Sequence, residues 1–216
     1  MSGEVAATPR ATVIVARDGD EGLEVLLLRR SDVGAFAGMW VFPGGRVDDD
    51  DAGDDEQARA RAAAAREAME EVGVAVSAAD LVPFSHWTPP ASAPRRFATW
   101  FFVAPWAGDD IAVDGHEIVD HSWLAPLRAV EAGLPLAPPT WVTLHHMAEF
   151  ASLDALRASP PVVEHYLTVP TKIDGTPVLL WHGDVGYEGA DATGAGPRHR
   201  LWMPAGGGWR YERRSA

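Results

Sequence analysis

The chain has no cysteine among its 216 residues. This excludes disulfides, thiolate zinc centres and cysteine nucleophiles, and it accords with a cytoplasmic location. Long apolar runs are missing as well. No stretch approaches the roughly 18 residues that a membrane-crossing helix needs, so no membrane partner is expected. The N-terminal MSGEVAATPR lacks a basic start followed by an apolar segment, so no secretory signal is expected, and the C-terminal RSA does not match the common peroxisomal tripeptide. Positive charge is scarce: 18 Lys and Arg stand against 31 Asp and Glu, a net charge of −13. That average field repels a polyanion and argues against nucleic acid as a partner. A small phosphorylated substrate is admissible wherever a metal ion or a few arginines reverse the sign locally. The eight histidines lack metal-ligand spacing. His145 and His146 are neighbours on a predicted helix and so point to different faces. Internal repeats are absent.

What is present has the composition of a globular protein, 47% hydrophobic and 23% charged, long enough for one large domain or a domain with an appendage. ATVIVARDGDEGLEVLLLRR reads as two strands around a turn built from Asp18, Gly19, Asp20 and Gly22. GMWVFPGGRV follows, a short aromatic strand and then a proline–diglycine break where backbone can turn sharply and approach a ligand. Seven of the nine residues 48–56 are acidic, which reads as a solvated, flexible loop that the chemistry can spare. Gln57 to Val72 is dense in strong helix formers, with Asp54 or Asp55 as N-cap and Gly73 where a C-cap glycine belongs. RRFATWFFVAPW and EIVDHSWL predict strands, and PLRAVEAG a short helix. PPTWVTLHHMAEFASLDALRAS predicts one or two more helices, opening on proline and then Thr140. Beyond Pro160 a hairpin is expected to turn at Asp174-Gly175, and the Gly-rich remainder ends in WRYERR. Strands and helices alternate without a regular βαβ rhythm, which points to a mixed sheet flanked by helices.

The sharpest feature is REAMEEVG, residues 66–73. On a helix Glu67, Glu70 and Glu71 stand at i, i+3 and i+4, so their carboxylates project from one face. Like charges at that spacing repel by a few tenths of a kcal/mol per pair. A bound divalent cation offsets that cost, and so does simple exposure to water. Carboxylates with a nearby backbone carbonyl are the hard oxygen donors that Mg²⁺ or Mn²⁺ prefers. Arg66 can pair with Glu70 at i+4, or with another site carboxylate, and hold a ligand in one rotamer.

With the diglycine upstream, the frame Gly45…Arg66-Glu67-Ala68-Met69-Glu70-Glu71-Val72-Gly73-Val74 resembles the box of the Nudix hydrolase family, G-x5-E-x7-R-E-U-x-E-E-x-G-U, where U is aliphatic. Ala68 is a small stand-in for the aliphatic residue. The span from Gly45 to Val74 is about seven residues longer than the box, and counting back from Arg66 puts its first glutamate at Ala58, with Glu56 the nearest acid. LLLRRSDVGAFAGMWVFPGG, HWTPP…PRRFATWFF, EIVDHSWL and LPLAPPTWVTLHHM are similar to the acyl-coenzyme A diphosphatase-like branch, so that the resemblance covers roughly residues 11–147.

The resemblance implies an α/β fold, a Nudix-type α/β/α sandwich with a mixed sheet, followed by a C-terminal β-rich extension. The implied division is a flexible N-terminus at 1–10, a Nudix domain at 11–158 with its box at 45–74, and the extension at 159–216 on the same domain. The implied activity is Mg²⁺- or Mn²⁺-dependent hydrolysis of a nucleoside diphosphate linked to another moiety, coenzyme A or acyl-CoA among them. ADP-ribose or dinucleotide substrates, or a nucleotide-sensing module without catalysis, are the alternatives. All three box glutamates are present, which favours the enzyme. The implied metal set is Gly45, Glu67, Glu70 and Glu71, with Arg66 holding the carboxylates. A further carboxylate, Glu117 or Asp120, is expected as ligand or general base. Arg95 or Arg96 is a candidate for substrate phosphates. Trp40 or Trp87 is a candidate for stacking on a base. The partner is then a small-molecule diphosphate, and a homodimer is left open.

Overall fold

The structure is a computed structural model and describes residues 7–34, 36–93, 96–108, 110–113, 115–189 and 191–215. It divides into two compact units. One comprises Pro9–His86 and Thr99–Glu164, the other Met1–Thr8, Trp87–Ala98 and His165–Ala216.

The first unit is built on a sheet. Strands β1 (Thr8–Gly19) and β2 (Gly22–Arg30) form the hairpin expected at Asp18–Gly22, and β3 (Trp40–Val41) and β4 (Gly44–Arg46) follow. Strands β5 (Val82–Thr88), β6 (Phe97–Pro105) and β7 (Ile118–Leu124) complete it in the order β3-β2-β1-β6-β5, with β4 beside β1 and β7 beside β2. The run Val13–Ala16 and the run Val25–Leu28 are fully buried. Alternate side chains leave a strand on opposite faces, so both faces of the sheet centre are covered. Ala11, Val13, Val15, Leu26, Leu28 and Phe102 share one core with the buried residues of helix α1 (Glu56–Val72). Three further helices follow: α2 (Pro126–Glu131), packed on α3 (Pro138–Met147) and on β2, and α4 (Leu153–Ala158). The result is the mixed α/β sheet with flanking helices that the sequence predicts, although the strand over 82–88 and the pairing of Gly44–Arg46 into the sheet are not visible in the sequence pattern.

Helix α1 begins at Asp55, whose side chain accepts the Ala58 N–H at 2.7 Å, and ends at Gly73, in the left-handed region at φ 70°. Its buried residues are Ala60, Ala63, Ala64, Ala68 and Val72. A stripe made of alanines lets the helix axis lie close to the sheet, and this close seating brings the glutamates beside the stripe down to the β4 backbone.

The second unit carries β8 (Glu164–Leu167) and a four-stranded antiparallel sheet in the order β12-β11-β10-β9, from β9 (Val169–Ile173), β10 (Thr176–Leu180), β11 (Arg198–Trp202) and β12 (Arg210–Arg214). Asp174 (φ 49°) and Gly175 (φ 79°) form the tight turn expected between β9 and β10. Trp181 and Tyr166 are buried at its centre beside a buried ion pair, Asp184–Arg200. Among the described residues no helix is long and apolar enough to cross a membrane.

Candidate active site

The helical period decides which glutamates face the sheet. Glu67 and Glu71 are one turn apart at the edge of the alanine stripe, with side chains 15% and 12% exposed, whereas Glu70 lies a step further out at 57%. Strand β4 meets them. Its register places Gly45 opposite Ala11 and Gly44 opposite Thr12. The Gly44 N–H donates to Glu71 Oε2 at 2.9 Å. A Cβ on Gly45 would overlap the Glu67 carboxylate, so only glycine leaves that carboxylate room. All three glutamates, with Gly44 and Gly45, line one cleft of about 500 Å³.

Arg66 ties the carboxylates together. Its Nη1 donates to Glu67 Oε1 and to Glu70 Oε2, both at 3.0 Å, and its Nη2 donates to the Arg46 carbonyl at 2.9 Å. The other edge is taken by Asp51, with Nε to Oδ1 and Nη2 to Oδ2 both at 3.1 Å. The hydrogen bonds to Asp51 hold the guanidinium proton even more firmly than usual. The acidic stretch is therefore not the freely solvated loop that its composition suggests. Asp51 is anchored on the helix, and the Asp48 carbonyl accepts from Arg59 at 2.8 Å.

A second arginine, Arg30, stands between Glu71 and Glu117. It contacts Glu117 closely and lies 3.8 Å from Glu71. The pairing of β2 with β7, which shifts register between Arg29 and Arg30 and puts Arg30 opposite Ile118, brings Glu117 to this place. Burial pushes the Glu71 carboxyl up to about 7, with the neighbouring Glu67 and Glu117 charges adding to the rise and the Gly44 N–H and Arg30 opposing it. Burial likewise raises Glu67, against the pull of Arg66. Arg10 lies on β1 directly opposite Arg46 on β4, and both line the cleft. Burial lowers the Arg10 pKa, and repulsion from Arg30 adds to the effect while Glu67 and Glu71 oppose it.

Among the described residues no three Asp, Glu or His side chains converge tightly enough to hold an ion as they stand. Arg66 instead lies between Glu67 and Glu70. The donor chemistry nonetheless fits a hard divalent cation. Glu67 and Glu71 are both desolvated beside a glycine backbone, the Glu70 charge raises Glu67 further and the Glu67 charge raises Glu71, and a positive charge placed among these carboxylates relieves this.

The structure thus brings Gly45, Arg66, Glu67, Glu70, Glu71 and Glu117 to one cleft. The remaining candidates are placed elsewhere. Asp120 is exposed and accepts the N–H of His121. Trp40 is half-buried in β3, its N–H donating to the Pro135 carbonyl at 2.9 Å, and it does not line the cleft. Trp87 belongs to the second unit, 4% exposed and stacked on Tyr166 at 3.8 Å, so its ring faces are used in packing. Arg96 is half-buried in the second unit, its carbonyl accepting from Thr8 at 2.8 Å, and Arg95 lies outside the described residues. Glu56 is engaged at the start of α1, accepting from Trp100 Nε1 at 2.9 Å. Sequence reasoning missed Arg10, Arg30, Arg46 and Asp51. For Asp51 a signal existed: counted forward from Gly45, the first acidic position of the box falls on Asp51, and the extra residues lie between it and Arg66.

The NUDIX domain family matches residues 7–147 of the 216. No curated protein matches the chain. Among solved structures, a NUDIX hydrolase from Alicyclobacillus acidocaldarius is similar at 22% identity and a TM-score of 0.64, over 72% of this chain and 97% of that one. The NUDIX domain of Shewanella oneidensis NrtR, complexed with ADP ribose, is similar at 20% identity and 0.53, over 67% and 88%. A C. elegans Ap4A hydrolase is similar at 23% identity and 0.50, over 67% and 97%. At these identities the structures bear on the fold alone, while the family match covers the strands, the glycine pair and the glutamate helix that build the cleft. The chain therefore belongs to the NUDIX domain family.

Proposed function

We propose that this NUDIX-family hydrolase is a Mg²⁺- or Mn²⁺-dependent pyrophosphohydrolase that cleaves a nucleoside diphosphate linked to another moiety. The observation that carries the reading is the seating of Glu67 and Glu71, desolvated side by side, against the Gly44-Gly45 backbone in a cleft that also holds arginines. Glu67, Glu70, Glu71 and the Gly45 carbonyl would hold the cation, which when bound would neutralise the diphosphate and activate water. Arg66 keeps Glu67 and Glu70 in place. Arg10 and Arg46 stand directly opposite one another on paired strands and both line the cleft. They bind the phosphate oxygens remote from the carboxylates. Glu117, steered by Arg30, takes the proton from water as its oxygen attacks phosphorus and the bridging P–O bond breaks.

The moiety beyond the diphosphate is the finer part of the proposal. The branch resemblance makes coenzyme A or acyl-CoA the first candidate. The structural neighbours include a domain complexed with ADP ribose and an Ap4A hydrolase, both names of nucleoside phosphates joined to a second group. The test is chromatography of products after incubation of CoA, ADP-ribose and Ap4A with the protein and Mg²⁺ or Mn²⁺. Appearance of 4′-phosphopantetheine with adenosine 3′,5′-bisphosphate supports the CoA reading. Cleavage of ADP-ribose or Ap4A with CoA intact overturns it and keeps the pyrophosphohydrolase. Tight nucleotide binding without products under either metal overturns both, and identifies a sensor.

A further inference from the structure

The second unit holds a cavity of its own, built from residues beyond the family match, which ends at residue 147. Its volume is about 350 Å³, at the small end of the roughly 300–1,000 Å³ that ligand pockets occupy. The floor is largely apolar. Alternation along β9 puts Val169, Thr171 and Ile173 on one face, and the register with β10 adds Leu180 opposite Val169. All five residues of β9 line the cavity, and β9 ends its sheet, so the space reaches round that edge. The facing wall is the glycine-rich loop between β10 and β11, and it is pinned in place. Arg200 on β11, paired with Asp184, donates from Nη1 to the Ala192 carbonyl at 2.9 Å, and Arg198 donates from Nη2 to the Gly194 carbonyl at 2.6 Å. The Gly186 N–H donates to Asp184 Oδ1 at 2.8 Å. A Cβ on Gly186 would come within 2.6 Å of the Ala192 Cβ, so glycine lets the two limbs of the loop close on each other.

Two groups of opposite charge line this cavity, Lys172 on β9 and Asp191 on the loop. Both are exposed, and among the described residues Lys172 makes no ion pair with Asp191 or any other carboxylate. The Thr193 hydroxyl and N–H donate to Asp191 Oδ1 at 2.7 and 2.8 Å, which holds the carboxyl below its ordinary range and keeps it ionised at neutral pH. These bonds engage Oδ1 and leave Oδ2 to a ligand. A simple anion drawn to Lys172 meets the like charge of Asp191, and a simple cation meets that of Lys172. A molecule that carries both charges satisfies both groups, and an aliphatic body on it covers the floor. We propose that the second unit binds a small aliphatic zwitterion, an amino acid whose carboxylate takes Lys172, whose ammonium takes Asp191 Oδ2 and whose hydrocarbon lies on Val169, Ile173, Leu180 and Ala192. The proposal is independent of the reading of the glutamate cleft.

The test is a methyl-resolved NMR titration of the full chain with L-leucine and with ε-aminocaproate, which differ in the separation of their charges. Saturable shifts of the Val169, Ile173 and Leu180 methyls are expected with at least one of them. Analogues that keep the body and one charge bind about 10- to 100-fold more weakly: isocaproate and isoamylamine for leucine, caproate and hexylamine for ε-aminocaproate. Glycine, which keeps both charges without the body, is weaker as well. Asp191→Asn erases the preference for the zwitterion over the carboxylate analogue, and Lys172→Met erases the preference over the amine. Glu188→Gln, a charge change on the same loop outside the cavity, leaves the affinity within about twofold of wild type. Absence of the methyl shifts with both zwitterions overturns the proposal, and so does binding of the singly charged analogues as tight as that of the zwitterion. Unchanged discrimination in both Asp191→Asn and Lys172→Met overturns it too.

Discussion

Asp184 and Arg200 are almost completely buried in the second unit, with side chains 0% and 2% exposed. Arg200 Nε and Nη2 reach the two carboxylate oxygens at 2.7 and 2.6 Å, and the N–H groups of His199 and Gly186 add two more hydrogen bonds. Burial pushes the Asp184 carboxyl up, but these four donors outweigh it and hold the pKa below the usual range. A lowered folded-state pKa contributes stability above the ordinary carboxylate pKa of about 4, and the contribution is lost as the pH falls through the lowered value. Asp184→Asn leaves Arg200 buried without its counter-charge and costs about 3–5 kcal/mol at neutral pH. Denaturant unfolding at neutral and acid pH checks both statements: the gap between wild type and variant is widest at pH 7 and narrows below about pH 4. A gap independent of pH contradicts this account of the pair. Neither residue stands out in the sequence, since an Asp and an Arg in Gly-rich and strand segments become partners only through the β10–β11 register.

At the scale of elements, the site is one helix face seated on one short strand, and its two glycines divide the labour. A Cβ at Gly44 would meet the backbone of β1, with the Ala11 carbonyl and Thr12 Cα (2.7 Å) in its way. Gly44→Ala therefore strains the β1–β4 pairing and costs about 1–3 kcal/mol. At Gly45 the clash is with the end of a flexible side chain, the Glu67 carboxylate. Gly45→Ala is expected to leave the melting temperature within a few degrees and to lower kcat about 100-fold by displacing that carboxylate. Thermal unfolding together with turnover separates the two, and equal effects of both variants on both readouts contradict the assignment. The helix, its caps at Asp55 and Gly73 and the single face of glutamates are legible in the sequence because they depend on spacings within a few residues. Arg10 opposite Arg46, Arg30 beside Glu117 and Asp51 on Arg66 depend on strand register or on where the extra residues of the box fall, which local periodicity does not encode. Trp87 likewise depends on tertiary packing. An aromatic beside a proline-rich turn suggests a base-stacking platform, but its ring is packed on Tyr166.

For the whole molecule, the net charge of −13 and a phosphate-handling site are reconciled within the cleft, where Arg10, Arg46 and Arg66 stand among the glutamates. A substrate that carries two phosphates is repelled by the average field of the chain, so its affinity depends on the cation and on these arginines. The central claim is that the glutamate face of α1 runs a metal-dependent hydrolysis. The measurement that tests it most directly is turnover of the cleaved diphosphate by wild type and Glu71→Gln, each with Mg²⁺, with Mn²⁺ and with chelator. The account predicts turnover in wild type only when metal is present, and a loss of several orders of magnitude in folded Glu71→Gln with either metal. Turnover that survives chelation, or near-normal turnover in Glu71→Gln, would contradict it.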